Sequence, residues 1–566
     1  MIPSCKPQLT SFRTLCTGHA LLMCCLTAAF TPTLPAQTTQ PHLAKRGDAV
    51  QLIVDGKPLL LLAGELHNSS SSSLDYMKPE WPLLAHMGLN TVLVPISWQL
   101  VEPVEGQFNF TLVDGLLAQA RAQHMHVVFL WLAAWKNGLS GYPPVWVKQD
   151  LQRFPRMEQP EGPNNTLAPT NTLSTLSPAL LNADSHAFHA LMEHIAHVDA
   201  REHTVVMMQV ENEVGVLGST RDHSAAANQL FAGPVPSELT QYLQAHRESL
   251  NPDLLALWES NGAKTQGTWT EVFGTGPRAD EIFMAWQYGH YVQAVAAAGK
   301  TAYNIPMYAN AWLASLSSSP GSYPTGGPLP WVMDVWKAAG TALDMVSPDL
   351  YASDVVGWCS KYDRPGNPLF IPETNSGSAG AANVFYAVGE HNALGFSPFG
   401  IDAGMHGESA YKIATAQAAG NADLTQSYAA IAEIMPQLLQ AQTHAAVHAF
   451  LLTEAHPSAD FVLGGVTVHV SLDQIFGNHT SSGYGLILAE SPGHFLGAGK
   501  GFRVSFGPIN GKTNRVGLAS IVEGNFRNGT WIPGRHLNGD ESDQGNYWRF
   551  DGSSVHIERA TTYAYP

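Results

Sequence analysis

The sequence predicts an α/β protein: a barrel of alternating strands and helices followed by a smaller antiparallel β domain. Three observations point that way. Short apolar runs break abruptly into polar residues, as Val205 to Met208 leads into Glu211, Asn212 and Glu213, and Leu369 to Ile371 into Glu373. A strand covered on both faces shows no polar alternation until it reaches solvent, so such runs are buried strands that deliver polar groups to a rim. At 566 residues the chain is too long for one ordinary core. From Ala445 the texture changes to short strands, VTVHVSL, GYGLILA and FRVSFGP, separated by Gly, Asn and Pro, which is the signature of an antiparallel domain.

Composition narrows the function. Hydrophobic residues make up 45% of the chain and charged ones 13%, which describes a globular protein rather than a disordered one. The net charge of −17 argues against nucleic acid, whose phosphates need clustered cations, and is compatible with a neutral glycan. Residues 1–36 carry Lys6, Arg13, no acids, an apolar block from Ala20 to Phe30, and Pro35-Ala36 before a polar stretch. This is a secretory signal pattern, too short in its apolar part for a permanent anchor, and it predicts export to the periplasm or the medium with no stable membrane anchor. Its removal takes away Cys5, Cys16, Cys24 and Cys25, leaving Cys359 alone and no internal disulfide. Residues 37–50 then read as a linker, 51–444 as the barrel and 445–566 as an accessory domain resembling a β-sandwich. No sequence signal bears on oligomeric state.

The chemistry should sit where the apolar runs end, since open and closed parallel sheets carry their sites at the C-terminal ends of strands. Glu211 and Glu213, two apart on one strand, point the same way and cannot flank a scissile bond between them. A partner must come from elsewhere. Glu373 ends a later strand of the same design. Gln209, Asn212 and Glu213 on one strand, with Pro372 and Glu373 on another, resemble the acid/base and nucleophile strands of retaining glycosidases built on (β/α)8 TIM barrels. Glycoside hydrolase family 35, the β-galactosidases, is the family they resemble most.

That resemblance implies Glu213 as acid/base, Glu373 as nucleophile, Asn212 as donor to the sugar 2-hydroxyl, and Tyr351 as a group holding Glu373. It implies a β-galactoside or galactosylated oligosaccharide as partner, and the loss of the leader cysteines together with the absence of a ligand cluster in the sequence predicts an enzyme with no metal and no cofactor. The bacterial subset with an accessory domain, to which the tail Gly534 to Glu541 is similar, points to galactose on a plant-wall side chain such as that of xyloglucan. A family 42-like galactosidase or arabinosidase, and a non-catalytic carbohydrate-binding barrel, are the alternative readings.

Taken in order, Gln51 to Pro58 reads as a hairpin with an Asp-Gly turn. Leu59 to Ala63 is the first barrel strand, and it opens toward Glu65 and His67, which lie either at the active rim or in a solvated loop. Asn90 to Ser97 is the second strand. The pattern W-x-x-x-E-P-x-x-G-x-F-x-F that begins at Trp98 resembles the family signature, and Pro95 stands where many members carry a sugar-contacting tyrosine. Leu112 to His124 has helical period, and His126 to Ala133 forms the third strand, ending near Trp135 and Lys136. Trp135 reads either as core or as a platform for a sugar ring. Residues 158–180, rich in Pro, Asn and Thr, read as an irregular loop. Ala183 to Ala200 is a helix whose His186, His189, His194 and His197 lack the carboxylate or Cys pattern of a metal site. Guided by the family, Pro306 to Trp312, Met345 to Tyr351, Pro368 to Asn375 and Leu394 to Asp402 become strands five to eight. Trp312 joins Glu65, His67, Trp98, Trp135, Lys136 and Tyr351 as expected substrate contacts. A helix over Tyr411 to Gln440 closes the barrel.

Overall fold

The computed structural model describes residues 40–402, 408–475, 478–509 and 514–566, with the backbone alone over 408–420. The predicted leader lies outside the described residues. Eight parallel strands close into a barrel: β1 Leu61–Glu65, β2 Thr91–Ser97, β3 His126–Lys136, β4 Val205–Asn212, β5 Met307–Trp312, β6 Met345–Leu350, β7 Ile371–Thr374 and β8 Gly395–Pro398. Each expected strand is found, and β8 pairs with β1 and β4 with β5 to complete the ring. One interior side-chain layer joins Leu61, Leu93, Val128, Met207, Tyr308, Met345 and Phe370. The outward positions, such as Val94, Trp131, Trp135 and Val210, pack under the helices in the larger core. This two-sided burial is why the strands read as apolar runs.

The Asp-Gly hairpin is present. Asp55 and Gly56 take φ of 51° and 74°, the left-handed pair that a two-residue turn requires. The expected linker is shorter than its assigned span, because His42–Arg46 pairs with Ala49–Val54 as a third strand. Leu52 and Val54 from this sheet pack against Leu61 and Leu93 and plug the barrel at the end away from the rim. The expected loop at 158–180 is also corrected. Arg156–Glu161 and Thr166–Leu173 form an antiparallel hairpin, turned through Gly162 and Asn165 with positive φ, and Pro178 already begins the following helix. Its outer residues are mostly exposed on both faces, so the stretch carries no alternation to read. Gln159 Nε2 donates to the Leu217 carbonyl and Ser174 Oγ to Asp222, which docks the hairpin beside the loop that follows β4.

The helix Glu408–Gln442 leads into two antiparallel sheets. One runs 447–453, 482–491, 494–500, 556–565, 515–527, 530–536 and the other 458–463, 466–472, 502–507, 548–550. They share a core of Phe450, Val468, Val470, Ile487, Phe495, Phe502, Val504 and Trp548. The six-stranded sheet also contributes Ala449, Tyr484, Leu486 and Leu496 to the same core as the barrel helices. Gly389 lies where a Cβ would meet the Ala449 Cβ at 2.6 Å, so helix and sheet approach closely there. Cys359 is buried and free. No helix among the described residues is long and apolar enough to cross a membrane.

Candidate active site

The C-terminal ends of β1, β4, β6 and β7 bring four carboxyl groups together. Glu65, Glu213, Asp349 and Glu373 are each at most 7% exposed. Glu213, Asp349 and Glu373 each offer an oxygen within 4.8 Å of the other two. Among the described residues this is the one cluster of metal-ligand type, and the four histidines of helix Pro178–Asp199 form none. His189 Nδ1 bonds the Ala298 carbonyl and His194 pairs with Asp114.

β4 ends in a strained turn. Glu211 and Glu213 take φ of 60° and 45°, a left-handed geometry that costs a non-glycine residue about 1 kcal/mol or more and persists only where the surroundings over-determine it. Here they do. The Glu213 N–H donates to Asn310 Oδ1 at 2.9 Å, and the Asn212 and Glu213 carbonyls accept from the N–H groups of Asn137 and Gly138. The expectation that Glu211 and Glu213 point the same way fails for this reason, since strand alternation does not survive two left-handed residues. Glu211 bonds the Ala134 and Trp135 N–H groups, while Glu213 joins Asn137, Asp349 and Glu373. That the partner of Glu213 lies elsewhere in the chain still holds.

Glu213 accepts from Asn137 Nδ2 at 2.5 Å. Burial first, and the charge of Glu373 second, push its carboxyl up to about 7, against a hydrogen bond from Asp349 and the attraction of Lys136. Asp349 is held well above the usual range by burial and by Glu373 and Glu213, and Glu65 by burial and Glu373. A carboxyl so placed keeps its proton where an exposed one has lost it. Tyr351 donates its hydroxyl to Glu373 Oε1 at 2.7 Å, the contact expected of it. Burial and the Glu373 charge hold that phenol above its ordinary value. Lys136 Nζ donates to Asn212 Oδ1 at 2.9 Å. Both Glu65 oxygens, Asn212 Nδ2 and Glu373 Oε2 are buried without a protein partner. Buried polar atoms are nearly always paired, so these four are open hydrogen-bonding positions within the carboxyl cluster.

The other expected contacts divide. His67 stands at the rim, its Nδ1 2.8 Å from Asp402 Oδ1, and Trp312 is 42% exposed at the end of β5. Trp98 and Trp135 are corrections. Both are wholly buried. Trp135 faces the helical layer, donates to the Leu173 carbonyl and packs edge-on against Tyr288 and Tyr291. Trp98 donates to Glu102, whose other oxygen takes the Gly106 N–H at 2.7 Å, so the tryptophan signature is a loop clamp. Pro95 is buried in β2 with its carbonyl accepting from Ser71 Oγ.

Sequence reasoning missed Asn137, Asn310 and Asp349. Asn310 bridges the site, accepting from Glu213 N and donating Nδ2 to Asp349 Oδ2 at 2.7 Å. The signal was available in parity: Asn310 and Asp349 stand two and four residues beyond the interior Tyr308 and Met345, on the same face of their strands. Asn137 carried no such signal, because its left-handed φ of 51° lies past the end of β3.

Residues 72–272 match the family model of glycoside hydrolase family 42, described as beta-galactosidase, and residues 424–549 match a domain of unknown function (DUF5597). The sequence resemblance was to family 35; the matching model is that of family 42. A beta-galactosidase of Xanthomonas manihotis is 29% identical over 185 residues, 31% of this chain and 27% of that protein, so the chain spans about a quarter of that relative. Among solved structures, a beta-galactosidase from the psychrophilic Marinomonas ef1 aligns with a TM-score of 0.46 at 12% identity, over 67% of this chain and 60% of that one. The catalytic domain of a beta-amylase from Paenibacillus polymyxa aligns with a TM-score of 0.40 at 13% identity, over 60% and 91%. The segment that matches the family 42 model holds β2 to β4, Asn137 and Glu213, while Asp349 and Glu373 lie beyond it.

Proposed function

We propose that the protein is a retaining glycoside hydrolase that releases terminal β-linked galactose, with Glu373 as nucleophile and Glu213 as acid/base. The observation that carries this reading is the pair itself: two buried carboxyl groups within 4.8 Å, one of them pushed up to about 7. Retaining enzymes hold their carboxyl groups about 5 Å apart, close enough for direct attack. Glu373, oriented by Tyr351, attacks the anomeric carbon as Glu213 protonates the leaving oxygen. Ester formation removes the Glu373 charge, the Glu213 carboxyl falls in pKa, and it then takes a proton from the attacking water. Asn212 Nδ2 is free to donate to the sugar 2-hydroxyl. Proton and nucleophile both come from side chains, so the reaction calls for no cofactor.

The finer reading is galactose on a plant-wall side chain, as in xyloglucan. It is supported by the resemblance of the tail at 534–541 and by Pro95 in place of the usual tyrosine, and the exposed Trp312 and Tyr351 offer aromatic surface for an aglycone. The leader pattern supports export. A second reading, a family 42-like enzyme on short galactosides or arabinosides, is favoured by the match at 72–272. One experiment separates these. Wild type, Glu373→Gln and Glu213→Ala are assayed on nitrophenyl and dinitrophenyl glycosides, lactose and galactosylated xyloglucan oligosaccharides, with and without azide. Glu373→Gln should lose turnover on all of them. Glu213→Ala should keep activity on the dinitrophenyl galactoside and give a β-galactosyl azide. An α-azide would mean inversion and remove Glu373 from its role. Lactose cleaved as well as the xyloglucan oligosaccharides would remove the plant-wall substrate.

A further inference from the structure

We propose that Glu211 and Asp184 form a proton-sharing carboxyl pair that positions the acid/base by clamping the end of β3 against the end of β4. The proposal rests on the reading of Glu213 as acid/base. The β3–β4 ladder is regular from Val128 opposite Met207 to Trp131 opposite Val210 and next pairs at Lys136 opposite Asn212. Between those points residues 132–135 on β3 face Glu211 alone. In the gap the Ala134 and Trp135 N–H groups donate to Glu211 Oε1 and Oε2, at 3.0 and 2.8 Å. A side chain therefore closes the gap that the backbone leaves open, and its left-handed φ is what turns it there.

What lies beyond the gap holds the site. Lys136 Nζ bonds Asn212 Oδ1, Asn137 Nδ2 bonds Glu213 Oε2, and the next N–H groups take the Asn212 and Glu213 carbonyls. The contacts that the end of β3 and the two residues after it make with Asn212 and Glu213 are thus anchored one to three residues from Trp135, whose N–H the Glu211 carboxyl holds.

Glu211 is itself held by Asp184, on the helix Pro178–Asp199, through a carboxyl–carboxyl hydrogen bond. Asp184 Oδ1 accepts from Trp131 Nε1 at 2.8 Å and Oδ2 from Tyr291 OH at 2.9 Å. Two carboxyl groups in contact require a proton between them, because both cannot ionise side by side when buried. Both residues are buried, and the titratable groups around them, Tyr288, Tyr291 and Glu102, are not cationic. One proton and one negative charge are therefore shared. Their mutual bond raises the Glu211 carboxyl and lowers that of Asp184, so the proton sits on Glu211 and the charge on Asp184, where Trp131 Nε1 and Tyr291 OH donate to it.

The test uses the full chain and a series of aryl β-galactosides of rising leaving-group pKa. Glu211→Gln replaces one accepting oxygen with an amide that cannot accept an N–H. Its kcat on poor leaving groups should fall roughly 10- to 100-fold, the size of effect that misplacing a catalytic group produces, while kcat on the dinitrophenyl galactoside stays within about threefold and KM is unchanged. Asp184→Asn keeps an amide oxygen that can accept from the protonated Glu211, with its NH2 turned to the Tyr291 hydroxyl, and should keep near wild-type kcat across the series. It also tests the idea should Glu211→Gln fail to fold. A loss in Glu211→Gln that is equal for all leaving groups, or a loss in Asp184→Asn that grows with leaving-group pKa, overturns the proposal. Wild type inactive on every aryl galactoside would overturn the assignment of function and this proposal with it, whereas an active wild type with a uniform loss overturns this proposal alone.

Discussion

At Glu213 burial and a neighbouring charge set how firmly the carboxyl keeps its proton, and one hydrogen bond moderates the effect. Burial and Glu373 raise its carboxyl to about 7, and the bond from Asp349 works in the other direction. Asp349 is held protonated by its own burial, so it stabilises the ionised form of Glu213. Asp349→Ala removes that donor and should move the alkaline limb of the kcat/KM profile upward by about one pH unit. Asp349→Asn keeps a donor and should leave the limb near 7. A downward move in the alanine variant would mean that Asp349 acts as a second negative charge. The sequence shows Glu213 and Glu373 because each ends an apolar run in an acid. Asp349 and Asn310 were passed over, although they follow the same rule in weaker form.

At the scale of the element, the turn after β4 is fixed by what fits above it. Gly215 has φ of 150°, and a Cβ there would lie 2.2 Å from the Pro324 carbonyl carbon. Val216 pairs with Thr325 at the same point. Gly215→Ala should therefore displace the loop 324–325 or the end of β4, costing roughly 1–3 kcal/mol of stability as other overpacked sites do, and it should lower kcat more than a substitution elsewhere of equal thermal cost. Thermal melts and kinetics on one preparation check this. A variant with unchanged Tm and kcat would show that the approach relaxes. The strands of the barrel were legible because double-sided burial writes itself as continuous apolar sequence. The hairpin Arg156–Glu161 and Thr166–Leu173 was not, because backbone pairing and contacts to Leu217 and Asp222 hold it with little buried surface.

Across the whole molecule, buried acids set how stability depends on pH. Glu65, Asp184, Glu211 and Asp349 are raised, Glu213 to about 7 and Glu558 in the C-terminal sheets to about 8. Between the unfolded value near 4.5 and these folded values the native state binds more protons than the unfolded chain, so stability falls as pH rises through that window. Asp402, Asp423, Glu390 and Asp551 are lowered and act oppositely, so that stability is lost as pH drops below about 4. Tm should peak near roughly pH 5 and decline toward pH 8. Glu558→Gln, which can still accept from Trp548 Nε1, should flatten part of the decline. Melts that rise steadily to pH 8 would show that the buried acids are ionised in the native state.

The sequence by itself determined the buried apolar strands, the change to antiparallel sheets near residue 445 and the two acids at strand ends, while the choice of strands five to eight also drew on the family resemblance. These are written locally, in how long an apolar run lasts and what ends it. Which tryptophans are core, where Glu211 turns, and how Asn137, Asn310 and Asp349 surround Glu213 were decided by the tertiary structure alone. Trp98 and Trp135 stand at strand ends as a sugar platform would, and only the neighbours Glu102, Leu173, Tyr288 and Tyr291 make them interior. A left-handed φ at Glu211 and again at Glu213 breaks the alternation on which sequence inference depends, and contacts from β3 and β5 impose it.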